Sequence, residues 1–295
     1  MINQNDILTF SQNRPQLVNY NNPLFHCFNQ NTYFSKDSTY HMTEHWHEDI
    51  EYLYVKEGAF RCNVNGTFMT LHEGEGIYIN SKRIHSNGTV KGTPCVLYCA
   101  ITHPDCLKAS PYIEQKYLNP TIGPNSFDYL LLKKGDWTEE ILDLLVDLFE
   151  QPPRTPIELK IIEASYHILG ILNEKFKPEN LLIKNASPYE DAFKSMVTYI
   201  TQHYHEKVAL SEIASAASIG KTLCATIFKK YASKTPGEYL IDYRITKSME
   251  LLTDKALSIT DIAFMVGFNS ASHYTEIFKK LMGHTPNQFR KNLEV

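Results

Sequence analysis

The chain has 295 residues, with 29 Lys+Arg against 33 Asp+Glu and a formal net charge of −4, so it is long enough for two domains with separate cores and too weakly charged for a simple nucleic-acid coat protein. No run of eighteen apolar residues occurs, which leaves no helix to span a membrane. The opening Met1-Ile2-Asn3-Gln4-Asn5-Asp6 lacks the basic and apolar regions of a secretory leader, and Cys27, Cys62, Cys95, Cys99, Cys106 and Cys224 form no Cys-x-x-Cys pair, so the expectation is a cytoplasmic protein with buried thiols.

From Tyr33 to Ile101 short alternating or apolar runs are broken by Gly and Asn: Ile50 to Val55, Phe60 to Val64, Phe68 to Leu71, Ile77 to Ile79 and Cys95 to Ile101. Asn65-Gly66 between two of these runs predicts a tight hairpin. Many short strands with tight turns predict a small antiparallel β-barrel or sandwich over residues 1–136. Within it His45-Trp46-His47-Glu48-Asp49-Ile50-Glu51, then Gly58, Gly76 and His85, resemble the two motifs of the cupin barrel. In metal-binding cupins two His at i and i+2, a Glu four residues on and a distant His face inward. His45, His47, Glu51 and His85 stand at those places, and such donors suit iron, manganese or zinc. Asn80-Ser81-Lys82-Arg83-Ile84 departs from the Pro- and Gly-containing turn of the second motif. The adopted reading is therefore a set of four residues lining an effector pocket, with no metal and no cofactor; a metal site on the same residues is the alternative.

Thr138 to Glu150 carries Ile141, Leu142, Leu145, Leu148 and Phe149, and Pro156 to Phe176 carries Leu159, Ile161, Ile162, Tyr166, Ile168, Leu169 and Leu172. This spacing predicts two amphipathic helices within residues 137–176. Pro152-Pro153 separates them, and residues 177–188, Lys177 to Pro188 with two prolines, read as a linker.

Residues 189–295 hold one motif twice. The first copy runs Ile213-Ala214, Ile227-Phe228-Lys229-Lys230 and Thr235-Pro236-Gly237-Glu238-Tyr239; the second runs Ile262-Ala263, Gly267-Phe268, Ile277-Phe278-Lys279-Lys280 and Thr285-Pro286-Asn287-Gln288-Phe289. Phe228 to Phe278 and Pro236 to Pro286 are both offset by 50, so a small helix-turn-helix unit is repeated in register. In the second copy Ser258-Ile259-Thr260-Asp261 has the form of a capping box, Gly267 ends the first helix, and Ser270 is the N-cap of the next. Tyr274, Ile277, Phe278 and Leu281 form its expected buried stripe. In the first copy Leu210, Ile213, Ala214 and Ala217 make one stripe and Leu223, Cys224, Ile227 and Phe228 the other, with Gly220 standing where Ser is expected as the N-cap.

On these residues, together with Gly283 and Phe289-Arg290, the segment from 188 to 295 resembles the DNA-binding domain of the AraC/XylS family of bacterial transcription regulators. The resemblance implies an all-α domain in which a long helix, here from Pro236 or Gly237 to about Leu252, joins two helix-turn-helix units whose second helices enter successive major grooves roughly 34 Å apart. Positions matching the family's base contacts are Thr222, Ala225 and Thr226, then Ser272, Thr275 and Glu276; Glu276 departs from the Arg common there. Lys221, Lys229, Lys279 and Lys280 read as phosphate contacts. Residues 1–186 hold 16 Lys+Arg against 22 Asp+Glu, net −6, and residues 187–295 hold 13 against 11, net +2, so DNA affinity should be modest and salt-sensitive.

The function so implied is a sequence-specific, small-molecule-responsive regulator, an activator of a catabolic or transport operon and not an enzyme. Its expected partners are double-stranded promoter DNA, an effector of carbohydrate type, a second copy of itself through the 137–176 helices, and RNA polymerase. Two alternatives stand beside it: a metal-dependent cupin enzyme fused to a DNA reader, and an effector-independent DNA-binding protein.

Overall fold

Eight strands build the sheet of the N-terminal half: β1 (Cys27–Phe34), β2 (His41–His45), β3 (Ile50–Val64), β4 (Thr67–His72), β5 (Gly76–Ile79), β6 (His85–Thr89), β7 (Cys95–Thr102) and β8 (Tyr129–Leu132). They belong to a computed structural model that describes residues 18, 20, 24–150, 156–175 and 189–292. These residues fall into two compact units, the first mainly before and the second mainly after residue 188. The readings placed on Pro152-Pro153 and on the linker 177–188 lie outside the described residues.

The sheet path is β1-β7-β3-β5-β8, with β4 and β6 also on β3 and β2 on β6. β3 is long enough to serve two walls. Ile50–Gly58 runs antiparallel to β7 and Glu51–Tyr54 to β5, while Ala59–Val64 pairs with β4 and Phe60–Val64 with β6. The register shifts between Val55 and Glu57, a bulge that bends the strand from one wall to the other. Gly58 follows at φ 83°, where an added Cβ would overlap the Pro94 carbonyl. At the next hairpin Asn65 and Gly66 both have positive φ, 48° and 84°, as a two-residue turn between right-twisted strands demands.

The runs Ile50 to Val55 and Phe60 to Val64, separate in the sequence reading, are thus one bulged strand. β1, β2, β6 and β8 lie outside the expected runs. β6 reads His-Ser-Asn-Gly-Thr and is buried along its whole length, so no apolar period marks it.

Helix α1 (Glu139–Glu150) and helix α2 (Ile157–Lys175) cover one face of this sheet. Ile141, Leu142, Leu145 and Leu148 share a core with Ile161, Ile168, Leu169, Ile171 and Leu172 and with Ile50, Tyr52 and Tyr78 of the strands. Strand alternation puts Ile50 and Tyr52 on that face and Glu51 on the opposite one. Leu159, expected in the stripe, is 59% exposed; it lies off the arc that Ile161, Ile168 and Leu172 define, and Ile171 stands buried in the stripe instead.

Residues 189–292, the bulk of the second unit, are helical: α3 (Glu190–His203), α4 (Leu210–Ala216), α5 (Lys221–Ala232), α6 (Pro236–Leu251), α7 (Ile259–Met265), α8 (Ala271–Met282) and α9 (Pro286–Asn292). Several of these starts have a local cause. Thr235 accepts from Glu238 N at 3.2 Å while Glu238 accepts from Thr235 N at 2.7 Å, a capping box with Pro236 at the first helical position. Ser258 and Asp261 form the same box at α7, and Ser270 caps α8 by accepting from His273 N at 3.2 Å. Gly220 precedes α5 with no side-chain cap. Phe193, Phe228, Tyr231 and Tyr239 interlock around the first helix-turn-helix, and Phe268, Tyr274, Phe278 and Phe289 around the second. Leu210 and Leu281, expected in buried stripes, are 40% and 44% exposed. α3, which carries Phe193, Met196, Val197 and Ile200 into the core, is an additional helix.

Candidate functional site

Two arrangements stand out, one in each unit. In the first, β2 carries His45, the loop after it His47, β3 Glu51 and β6 His85. All four are buried, and their ligand atoms lie within 4.8 Å of one another. Glu51 Oε2 is 3.0 Å from His85 Nε2 and 3.3 Å from His47 Nε2. The His45 and His85 rings are 4.1 Å apart, centroid to centroid. The other nitrogens of two rings are engaged as well: His85 Nδ1 lies 2.9 Å from the Arg83 carbonyl, and His47 Nδ1 lies 3.4 Å from Asp49 Oδ2.

A neutral imidazole has one N–H, yet both nitrogens of His47 face carboxylate oxygens, at 3.3 and 3.4 Å. For His47, burial opposes the charged ring, but the carboxylates of Asp49 and Glu51 outweigh it and push the pKa up to about 9. Burial likewise opposes the Glu51 carboxylate, and the facing His85 and His47 rings overcome it and hold its pKa well below the usual range. Asp49, whose burial is outweighed by His47 and by a hydrogen bond from the Tyr20 hydroxyl at 2.7 Å, is also lowered.

The turn that departs from the cupin pattern is held by long-range polar contacts in place of Pro and Gly. Lys82 takes the left-handed conformation itself, φ 63°. Its N–H donates to the His47 carbonyl at 2.8 Å, and the Ser81 hydroxyl donates to the Glu48 carbonyl at 2.5 Å. Asn80 Nδ2 donates to the Thr121 and Phe127 carbonyls, and the Arg83 guanidinium pairs with Asp128 at 3.0 Å and donates to Gly123 O at 2.9 Å. This web ties His85 to the segment bearing His47. Tyr20 carries no signal in the sequence, and the roles of Asp49, Asn80 and Arg83 emerge only from these contacts; the acidic Asp49 two residues from His47 is the one local cue.

In the second unit the turn between α7 and α8 is set by Gly267 at φ 89°. A Cβ there would meet Tyr204 O at 2.6 Å and the Arg244 guanidinium at 2.9 Å. Arg244, on α6, donates to the Tyr204 and Glu206 carbonyls, each at 2.7 Å, and Arg290 donates to the Leu252 carbonyl at 3.1 Å beyond the end of α6. These two arginines therefore brace the linking helix. On α5 the burial of Cys224, Ile227, Phe228 and Tyr231 turns Lys221, Thr222, Thr226 and Lys229 to solvent, with Ala225 half-buried. On α8 the burial of Tyr274 and Phe278 exposes Ser272, Glu276, Lys279 and Lys280, with Thr275 half-buried. The Thr226 hydroxyl donates to the Thr222 carbonyl at 3.0 Å. Each helix thus presents its N-terminal half and a lysine-bearing side on one exposed face.

A cupin domain family matches residues 38–101 and a helix-turn-helix domain family matches residues 213–292. The HTH-type transcriptional regulator YdeC of Bacillus subtilis (strain 168) is 29% identical over 256 residues, 84% of this chain and 85% of that one. The probable transcription factor PqrA of Proteus vulgaris is 35% identical over 102 residues, 35% of this chain and 82% of that one. The melibiose operon regulatory protein of Escherichia coli (strain K12) is 23% identical over 261 residues, 84% of this chain and 83% of that one.

Proposed function

Because the chain belongs to the AraC/XylS family of transcription regulators and joins a cupin-like unit to a double helix-turn-helix DNA-binding unit, we propose that it activates a catabolic or transport operon in response to a small molecule. Residues 1–136 form the sensing barrel, 137–176 its covering and dimerising helices, 177–188 the linker and 189–295 the DNA reader. Thr222, Ala225 and Thr226 of α5 and Ser272, Thr275 and Glu276 of α8 read base edges. Lys221, Lys229, Lys279 and Lys280 neutralise phosphates and set register. The observation that carries this assignment is the matched pair of exposed faces, each opposite a buried face that carries an aromatic at the same place in the repeat, Phe228 and Phe278.

The effector binds beside His45, His47, Glu51 and His85, and the similarity to the melibiose operon regulator favours a sugar. It acts only to the extent that it binds one conformational state better than another. The protein works in the cytoplasm, as a homodimer that touches RNA polymerase, and catalyses no reaction. Genome-wide binding followed by gel-shift titration of the best site, with and without candidate sugars and at two salt concentrations, tests this. A discrete site upstream of a transport or catabolic operon is expected, with sugar-dependent affinity. Diffuse binding with a specificity ratio near one would reject the reading.

One observation favours a second reading of the barrel. Three imidazoles and a carboxylate converge while the far nitrogens of His47 and His85 already face Asp49 and a carbonyl, the outer-shell pattern that orients metal-ligating rings. On that reading these four residues hold a divalent transition ion, which supplies a Lewis-acidic anchor for an oxygen-bearing effector. Metal analysis of protein purified without chelator distinguishes the two: stoichiometric metal that is lost in Glu51→Gln supports the ion, and none supports the proton-bridged cluster.

A further inference from the structure

The six cysteines look unpaired along the sequence, and in the fold two of them meet. Cys27 opens β1, registered opposite Thr102 at the end of β7. The chain then turns through Pro104–Leu107 and carries Cys106 back over Cys27, leaving the sulfurs 3.8 Å apart. Main-chain bonds fix both sides: His103 N donates to the His26 carbonyl at 2.9 Å and Cys106 N to the His103 carbonyl at 3.0 Å. Cys27 is buried and Cys106 half-buried, so one thiol is sheltered while its neighbour can be reached from solvent.

We propose that Cys27 and Cys106 are a peroxide-responsive dithiol that closes reversibly into an intramolecular disulfide, giving the N-terminal unit a redox input separate from its effector. Closure to the bonded distance of about 2 Å asks the sulfurs to approach by a little less than 2 Å, a side-chain movement within an otherwise clamped turn. The roles of the two thiols differ. The Cys27 thiol lies against the Cys106 sulfur; that contact lowers the Cys106 pKa against the opposing effect of burial and, together with burial, raises that of Cys27. Burial also raises Cys62, Cys95, Cys99 and Cys224. Cys106, the half-buried thiol that solvent can reach, is therefore the attacking group, and the sheltered Cys27 the resolving thiol.

In the first step the Cys106 thiolate attacks one oxygen of a hydroperoxide. The O–O bond breaks, the leaving oxygen takes a proton from solvent, and Cys106 becomes a sulfenic acid. The Cys27 sulfur then attacks the sulfenic sulfur; the S–O bond breaks, the hydroxide leaves as water with the Cys27 proton, and the S–S bond forms. Two electrons pass from the thiols to the peroxide, and a cellular thiol such as glutathione returns them. In a reducing compartment such a pair rests open and closes on oxidation.

The test is to expose the reduced full-length protein to stoichiometric hydrogen peroxide at neutral pH, alkylate the remaining thiols, and map linked peptides by mass spectrometry. Loss of two of the six thiols, a Cys27–Cys106 linked peptide and full recovery with dithiothreitol are expected. Cys106→Ser should slow thiol loss at least about threefold, since it removes the thiol of the pair that peroxide can reach. Cys27→Ser should leave a sulfenic acid at Cys106 that dimedone traps. No thiol loss, a dominant link between other cysteines, or Cys99 or Cys224 reacting as fast as Cys106 would overturn the proposal. The wild-type peptide map decides the matter even if a variant fails to fold.

Discussion

Replacing Gly267 by alanine should damage the DNA-reading unit far more than the same change at Gly283, although both sit at positive φ, 89° and 78°. At Gly283 nothing lies within 4 Å of the added Cβ, so the cost is backbone strain alone, about 1 kcal/mol, partly offset by the smaller entropy of the unfolded chain. At Gly267 the methyl would stand 2.6 Å from the Tyr204 carbonyl and 2.9 Å from Arg244 Nη2, inside contact distance. The guanidinium must retreat, and it holds the Tyr204 and Glu206 carbonyls at 2.7 Å each. Charged hydrogen bonds contribute about 1.5–3 kcal/mol each, so losing or stretching them brings the expected total to about 3–5 kcal/mol. Urea unfolding followed by far-ultraviolet circular dichroism should place the helical unit's midpoint at least about 1 M lower in Gly267→Ala than in Gly283→Ala, since m is about 1–3 kcal/mol/M for domains of this size. Equal midpoints for the two variants would refute the claim that Arg244 packs against this turn.

If these helices read the duplex as proposed, Thr275→Glu, and likewise Thr226→Glu, should weaken binding to the cognate site at least about tenfold in a gel shift while circular dichroism stays unchanged, because an added carboxylate there meets the DNA's charge; unchanged affinity would reject the placement of the reading helices. Lys279→Ala and Lys229→Ala should each weaken binding evenly across DNA sequences and flatten the slope of log affinity against log salt by about one. A loss confined to the cognate site would instead make that lysine a base contact. In chelator-treated protein His47, raised from 6.5 to about 9 on folding, binds its extra proton only in the native state. Its contribution, at most about 3 kcal/mol, is complete below about pH 6.5 and vanishes as pH rises through 9. The first unit's melting temperature should fall across that interval, and a flat or rising curve would show that His47 does not lie between two carboxylates.

Much of this protein is written locally. The helix-turn-helix repeat is legible because capping is a short-range matter: Ser258 with Asp261, Ser270 with His273 N and the achiral Gly267 each act within a few residues. The spacing His45, His47, Glu51 is readable too, because strand alternation and one loop bring these donors to a common side. What escapes a linear reading depends on partners far along the chain. β6 is a strand because β2 and β3 flank it, its own residues showing no apolar period. Leu159 and Leu281 fit an apolar stripe by spacing, and only the packing of neighbouring elements shows that their side of the helix is left uncovered. The Asn80–Ile84 turn dispenses with Pro and Gly because residues some forty positions away hold it. Cys27 and Cys106, 79 residues apart, become neighbours only when β1 pairs with β7 and the chain folds back over their shared end. Periodicity and capping are properties of a few consecutive residues, so local sequence determines them; contact across a sheet is a property of register, which exists only once distant strands have paired.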